Sequence, residues 1–129
     1  MIDTGLASSR IPGFEALLTA GHPCTFENWS AFESFYDSAV ASSAITIKDL
    51  WWDIRPHPEY ETVEVRSCDV LPTLSEAISV IALIHLLFGW LDAEYRDGQV
   101  PLPPPSWILR ENKWRASRRG LNSEVVPDA

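Results

Sequence analysis

Charged and apolar residues alternate in two short segments of the chain, and this spacing is the feature best suited to chemistry. The segment KDLWWDIRPHPEYETVEVRSCD, residues 48–69, contains two strand-like runs, 50–56 and 61–67, around a loop with proline and histidine. We predict an antiparallel β-hairpin here. Because side chains in a strand alternate between faces, one face is polar. It carries Asp53, Arg55, Glu64 and Arg66, whereas the apolar face carries Trp52, Ile54, Val63 and Val65.

The register of this hairpin decides which charges meet. If the loop comprises residues 57–60 and the register is symmetric, Asp53 lies opposite Glu64. Two carboxylates facing each other across a ladder repel unless an arginine, a metal ion or solvent separates them. The polar face is therefore a candidate ligand surface, and the competing interpretation is that its charges simply face water.

The composition is that of a soluble globular domain. The chain has 129 residues, 46% of them hydrophobic and 22% charged, which suits one core and excludes wholesale disorder. Its net charge of -8 argues against nucleic acid and an anionic membrane as partners. The opening residues lack a signal-peptide pattern, which favours the cytoplasm. Cys24 and Cys68 lack metal-ligand spacing, so we predict two free, buried thiols.

Periodicity and capping signals divide one α+β domain into six segments. We expect an irregular N-terminal segment, a helix with an aromatic stripe, the hairpin, a long buried helix, a proline-rich linker and a basic helix. Their predicted ranges are 1–24, 25–43, 48–69, 73–96, 97–105 and 106–120. Thr25 is the expected cap of the first helix, whose core stripe is Trp29, Phe32, Tyr36 and Val40.

The long helix is predicted to lie in the core. Thr73-Leu74-Ser75-Glu76 has the pattern of a capping box and directly precedes the longest apolar run, 77–91. That run is short for a membrane span. Because it is apolar nearly all round, we expect it to pack against the apolar face of the hairpin and at least one other neighbour.

The last helix is predicted to carry a basic face. Ser106 is a candidate cap and Gly120 a candidate stop signal, while Trp107 and Trp114, seven residues apart, are predicted to mark the buried side. Arg115 and Arg119 project elsewhere, either into solvent or towards a ligand. Nucleic-acid binding through this helix is the weakest function considered, because the chain as a whole is acidic.

Three motifs together resemble one enzyme family. DTGLASSR, DLWWDIRPHPEYETVEVRSCDVLPTL and RENKWRASRRGL occur in the order of the carboxylate-amine ligase family, the glutamate-cysteine ligase type 2 group. The resemblance extends from about Asp3 to Leu121. It implies a glutamine-synthetase-like fold, whose curved antiparallel sheet holds ATP, a divalent metal and an amino acid. The implied reaction is phosphorylation of the glutamate γ-carboxylate by ATP, followed by attack of the amine of cysteine or a related compound to form an amide.

The same resemblance gives expected roles to residues of the hairpin. Glu64 in VEVR would bind Mg²⁺, which prefers carboxylate and phosphate oxygens. Arg66 would contact phosphate or the substrate carboxylate through its bidentate fork, with Arg55 as a second catalytic residue. His57 would line the same cleft.

Further expected contacts lie outside the hairpin. Arg10 in the SSR element would share the cleft with His57, as contacts to ATP or substrate. Arg115 and Arg119 match the ENxWRAxRxG pattern, and they would either bind ATP or substrate or brace the site from behind. The implied partners are glutamate, cysteine or another amine, and ATP, without nucleic acid or membrane.

The chain also departs from the family pattern. By resemblance it covers only the C-terminal part of the catalytic domain, so alone it would be inactive and would bind Mg²⁺ weakly. It would form a homo-oligomer or require a complementing N-terminal half. Glu61 stands where the family usually has glycine, which bears on the loop backbone. The alternative function is a noncatalytic binding or interaction module that retains part of the ligase fold.

Overall fold

A computed structural model describes residues 3–43, 46–99 and 101–127 of the chain. These residues form four α-helices and a two-stranded antiparallel sheet, so the predicted α+β class is confirmed. Short 3-10 turns follow or precede several of these elements, at Ile47–Asp49, Pro58–Tyr60 and Gly120–Asn122. In chain order the helices and strands are α1 (Arg10–Glu15), α2 (Trp29–Ser43), β1 (Ile54–His57), β2 (Thr62–Val65), α3 (Leu74–Arg96) and α4 (Ser106–Arg119).

The hairpin forms with a register one loop position later than expected. Pro58–Tyr60 make a 3-10 turn and Glu61 completes the connection, so the loop is 58–61 rather than 57–60. Arg55 therefore pairs with Glu64, and Ile54 pairs with Val65. The predicted juxtaposition of Asp53 and Glu64 is wrong, because the shifted loop places an arginine opposite that carboxylate.

Glu61 adopts a backbone conformation that favours glycine. Its φ is +52°, and among the described residues it is the one non-glycine with positive φ. The sequence analysis noted Glu61 because the family that the chain resembles usually has glycine at this position. The left-handed conformation closes the 3-10 turn and starts β2, at a cost of roughly 1–2 kcal/mol for a residue with a Cβ.

Replacing Glu61 by glycine should therefore stabilise the chain. We expect Glu61→Gly to raise the free energy of unfolding by about 0.5 to 1 kcal/mol, because relief of the left-handed strain exceeds glycine's larger entropy in the unfolded state. Urea denaturation measures this change. Glu59→Gly, two residues earlier in the same turn, is the matched control and should lower stability. Equal losses in both variants would contradict the prediction.

Two charged residues of the predicted polar face are buried. Asp53 is 7% exposed and Arg55 6%, whereas Ile54 on the supposedly buried face is 43% exposed and Val63 51%. The competing interpretation, in which these charges all face water, is therefore wrong for Asp53 and Arg55. Burial of a charge requires a partner, so the burial of Asp53 and Arg55 points to the ion pairs that position the site.

The core is small and aromatic. Phe32 from α2 packs with Leu50 and Trp52, which directly precede β1, and Phe26 and Phe35 pack against this group. An isolated β-bridge joins Gly21 to Trp52, two residues before β1. The N-terminal segment is thereby tied to the base of the hairpin.

Helix α2 begins four residues after Thr25, the expected cap. Asn28 takes that role, since its side-chain oxygen accepts a 2.9 Å hydrogen bond from the Ala31 amide. Of the predicted core stripe, Phe32 is buried and Tyr36 partly buried. Trp29 and Val40 are exposed, contrary to prediction.

Helix α3 starts with the capping box read from the sequence. Thr73 Oγ1 accepts from the Glu76 amide, and the Glu76 carboxylate accepts from the Thr73 amide. The prediction that this helix is buried against the hairpin is wrong: none of its described residues is buried. Among the described residues, the apolar side chains of this helix are therefore open to solvent.

By length and composition α3 could also cross a membrane. Its 23 residues include an 18-residue window of mean hydropathy 1.9, and none of that window is buried. The core helix of a larger soluble protein meets the same criterion. The expected absence of a membrane partner therefore stays a prediction.

Helix α4 buries a different side from the one predicted. Ile108 and Ser117 are its buried residues, whereas Trp107 and Trp114 are 58% and 51% exposed. The helix begins at Ser106 without a side-chain cap and ends at Gly120, whose amide donates to the Ala116 carbonyl. Ser117, 1% exposed, is small enough to let the N-terminal segment approach closely.

The two cysteines are free, as predicted, but the prediction that they are buried is wrong. Both Cys24 and Cys68 are exposed.

Candidate functional site: an arginine cluster beside the hairpin

Three arginines from separate parts of the chain converge beside the hairpin. Arg10 is the first residue of α1, Arg55 lies in β1 and Arg66 directly follows β2. We call Arg10, Arg55 and Arg66 the arginine cluster. The ring of Phe14 lies next to two of them, because the Arg10 guanidinium lies 4.6 Å and the Arg66 guanidinium 5.8 Å from its centroid.

Arg55 is committed to the protein itself. Its Nε donates to Glu64 Oε2 at 2.7 Å, and its Nη1 donates to the carbonyls of Ile47, Lys48 and Leu50 at 2.8, 3.0 and 3.2 Å. These carbonyls belong to the turn before β1. Arg55 therefore fixes that turn and the orientation of Glu64.

Arg66 is the cluster member best placed to bind a ligand. Its side chain is 15% exposed, and its Nη1 lies 4.0 Å from Glu64 Oε2, at the limit of an ion pair. The guanidinium also sits 5.1 Å from the Trp51 ring, and Trp51 meets Phe14 edge to face at 5.4 Å. Two aromatic rings thus hold the guanidinium in place without neutralising it.

The charge of Arg66 is poorly compensated. Burial lowers the pKa of Arg66 below its usual value, and the positive charges of Arg55 and Arg10 lower it further, against the opposing effect of Glu64. A guanidinium stays protonated under these conditions. Among the described residues Arg10 makes no ion pair, so the cluster has an excess of positive charge in a chain of net charge -8. Such a site favours an anion with oxygen acceptors.

A second group of charges joins α4 to α1 and to the residue before β1, and of its members sequence reasoning had named only Asp53. Lys113 Nζ in α4 contacts Asp53 Oδ1 and Oδ2 at 2.9 and 2.8 Å and Glu15 Oε1 at 2.9 Å. His22 Nδ1 lies 3.5 Å from Asp53 Oδ2. We call Lys113, Asp53 and Glu15 the Lys113 network. Lys113 and Asp53 are sixty positions apart, and burial of Lys113 was not signalled by the apolar spacing of α4.

The remaining predicted site residues contact other parts of the chain. His57 stacks on Tyr60 at 4.5 Å and lines a groove with Trp29 and Val63, and its buried Nδ1 has no hydrogen-bond partner among the described residues. The structure therefore does not place His57 in one cleft with Arg10.

Arg115 and Arg119 lie on α4. Arg115 Nε contacts Glu111 at 2.8 Å and Nη1 donates to the Glu124 carbonyl at 3.3 Å. Arg115 also lines a cleft of about 980 Å³ between α4 and residues 15–22. Arg119 is exposed at the end of the helix. Their predicted contacts with ATP or substrate stay predictions.

The described residues do not by themselves fit Mg²⁺. They contain no group of three or more histidine, cysteine, aspartate or glutamate side chains placed to hold a metal ion. Asp53 is occupied by Lys113, and Glu64 by Arg55. Mg²⁺ is usually held by one or two carboxylates together with substrate phosphates, so a single carboxylate already paired with a guanidinium is a poor site for the ion alone. The metal role of Glu64 stays a prediction.

Comparison with known proteins decides the family. The sequence profile of glutamate-cysteine ligase family 2 matches residues 2–129. The chain belongs to glutamate-cysteine ligase family 2. A Bdellovibrio bacteriovorus relative named "Putative glutamate--cysteine ligase 2" is 48% identical over 98% of this chain, which covers 34% of that relative. Relatives from Frankia alni and Gloeobacter violaceus are 47% and 42% identical over 98% and 96% of the chain.

This family 2 chain spans about a third of the length of the relatives it matches: 34%, 33% and 34% for the three above. The predicted resemblance is therefore confirmed, and with it membership of a family of ligases.

Proposed function

We propose that the chain is the part of an ATP-dependent carboxylate–amine ligase that binds anionic groups of the reactants. The observation that carries this proposal is the desolvated, undercompensated guanidinium of Arg66, held between Phe14 and Trp51 beside Arg10. Membership of glutamate-cysteine ligase family 2 supplies the class of reaction. ATP, glutamate and an amine such as cysteine are the proposed substrates, and the cytoplasm is the proposed location because ATP is available there.

The proposed chemistry has two steps. The glutamate γ-carboxylate attacks the γ-phosphorus of ATP, which releases ADP and leaves an acyl phosphate. The amine then attacks the acyl carbon, loses a proton and expels phosphate, which leaves the amide. Both steps concentrate negative charge on carboxylate or phosphoryl oxygens.

Within this scheme the residues divide by what they can reach. Arg66 would hold oxygens of a phosphoryl group or of the substrate carboxylate, where a fixed cation stabilises charge that develops during transfer. Arg10 would contribute a second cation to the same anion. Arg55 acts instead as a positioning residue, because Glu64 and three carbonyls already occupy its Nε and Nη1.

The rest of the site would come from polypeptide beyond these 129 residues. Further acidic ligands for Mg²⁺ belong to that part of the proposal, and so does the surface that covers α3. A complementing N-terminal segment is the proposed partner, with self-association of the chain where that segment is absent.

Glu64→Gln separates an anion site from a metal site. We expect the variant to bind pyrophosphate about three- to tenfold more tightly than the wild-type chain, because it removes the one carboxylate that pairs with the cluster. Calorimetric titration with pyrophosphate, without metal, measures this. Glu59→Gln, an equal charge change outside the cluster, is the control and should leave the affinity unchanged.

Unchanged or weaker pyrophosphate binding by Glu64→Gln would contradict an anion site. A parallel titration of the wild-type chain with Mg²⁺ alone should give no tight binding.

A noncatalytic binding module is the second candidate. Its supporting observation is the shortage of carboxylates around the cluster among the described residues. This alternative predicts saturable anion binding in the complete protein without ATP turnover.

A further inference from the structure

We infer that Lys113 is a positioning residue that sets the distance between Arg10 and Arg66, and so the shape of the anion site. This inference rests on the proposed function of the arginine cluster. The Lys113 side chain is 10% exposed, and its ammonium group is paired with the carboxylates of Asp53 and Glu15, so it would act on a ligand only through other residues.

The first connection runs from Lys113 to Arg10. Glu15, which pairs with Lys113 at 2.9 Å, is the last residue of α1, and Phe14 directly precedes it. The Phe14 ring lies against both guanidiniums. Lys113 therefore holds the end of the short helix that presents Arg10 and its aromatic neighbour.

The second connection runs from Lys113 to Arg66. The Asp53 carboxylate receives both short contacts from Lys113, and the Asp53 carbonyl accepts a 2.6 Å hydrogen bond from the Arg66 amide. The Asp53 amide in turn donates to the Gly21 carbonyl at 2.8 Å. One ammonium group thus joins the backbone that bears Arg66 to the helix that bears Arg10.

The N-terminal motif is attached to α4 at a second place. The Ser8 amide donates to the Ser117 carbonyl at 2.9 Å, and the Ala7 amide to the Arg118 carbonyl at 3.4 Å. Lys113 and Ser117 are four residues apart, on one side of α4. The SSR and WRASRR motifs therefore form one supporting surface, with Lys113 as its charged contact to the hairpin.

The orientation of the guanidiniums provides a direct readout. Aromatic rings change the NMR chemical shifts of protons that lie above them. The chemical shifts of the Nε–Hε groups of Arg10 and Arg66 therefore report their positions over Phe14 and Trp51. We expect Lys113→Met to move both signals towards those of a free arginine and to weaken pyrophosphate binding about tenfold or more. Lys113→Arg should restore most of both properties. Arg110→Met, with the same charge change at an exposed position of the same helix, should alter neither.

A second variant keeps the test decisive if Lys113→Met does not fold. Glu15→Gln removes one charge from the network at a residue that is 42% exposed, and it should shift the Arg10 signal with little loss of stability. Folded variants whose arginine signals and pyrophosphate affinity match the wild type would overturn the inference. If the wild-type chain binds no pyrophosphate, the proposed function fails, whereas the arginine signals still decide the role of Lys113.

Discussion

Arg66→Met should abolish most anion binding while leaving the fold intact. We expect the affinity for pyrophosphate to fall about 10- to 150-fold, the equivalent of losing one hydrogen-bonded charge worth roughly 1.5–3 kcal/mol. The reason is that Arg55 already donates hydrogen bonds to Glu64 and to backbone carbonyls, so Arg66 is the main guanidinium available to bind an anion. Calorimetry at fixed ionic strength measures the change, since phosphate contacts depend on salt.

The same substitution should have little effect on stability. Burial and the neighbouring arginines lower the pKa of Arg66, so the folded state carries this charge at a disadvantage. Without a bound anion, we expect the free energy of unfolding to change by less than about 1 kcal/mol, because lost ring contacts offset relieved repulsion. Arg66→Lys keeps the charge without the fork and should bind at an intermediate level. Arg96→Met, on exposed α3, is the control. A variant that binds pyrophosphate like the wild type would remove Arg66 from the site.

The second large effect concerns α3. We expect the 129-residue chain to self-associate through this helix, and we expect Leu83→Glu together with Leu86→Glu to weaken association at least 100-fold, since burying one leucine contributes about 1.5–3 kcal/mol. Leu83 is 57% and Leu86 69% exposed. Exposed apolar side chains continue along the helix, at Ile78, Ile81, Leu87, Phe88, Trp90 and Leu91.

Sedimentation over a range of concentrations tests this expectation. Leu18→Glu with Leu121→Glu is the matched control, because both leucines are fully exposed outside α3 and should not affect association. A wild-type chain that stays monomeric at all concentrations would contradict the prediction. Adding the complementing N-terminal segment of a relative should dissociate the self-associated chain, because we propose that the same surface of α3 binds that segment.

Local signals in the sequence were sufficient for several elements. The capping box at Thr73 specifies where α3 starts, because both of its hydrogen bonds join residues three positions apart. Gly120 likewise ends α4 with a φ of +57°. The family motifs identified the ligase family independently of the fold.

Signals that depend on distant contacts were not sufficient. Asp53 is buried and paired with Lys113, and no spacing in the sequence pairs these two residues. The hairpin register depended on a left-handed residue at Glu61, which propensity disfavours. The expected packing of α3 assumed that its partner lay within the same chain. In the first two cases a long-range ion pair and a disfavoured backbone conformation, rather than local propensity, decide the outcome.

The most direct test of the proposed function is a chimera. In it, the matching third of the Bdellovibrio bacteriovorus relative is replaced by this chain, and formation of ADP and a γ-glutamyl amide from ATP, glutamate and cysteine is measured beside the intact relative. We predict that the chimera forms both products and that Arg66→Met lowers its turnover about 100-fold or more. A folded chimera that forms no amide while the intact relative does, or one whose turnover is unaffected by Arg66→Met, would contradict the account.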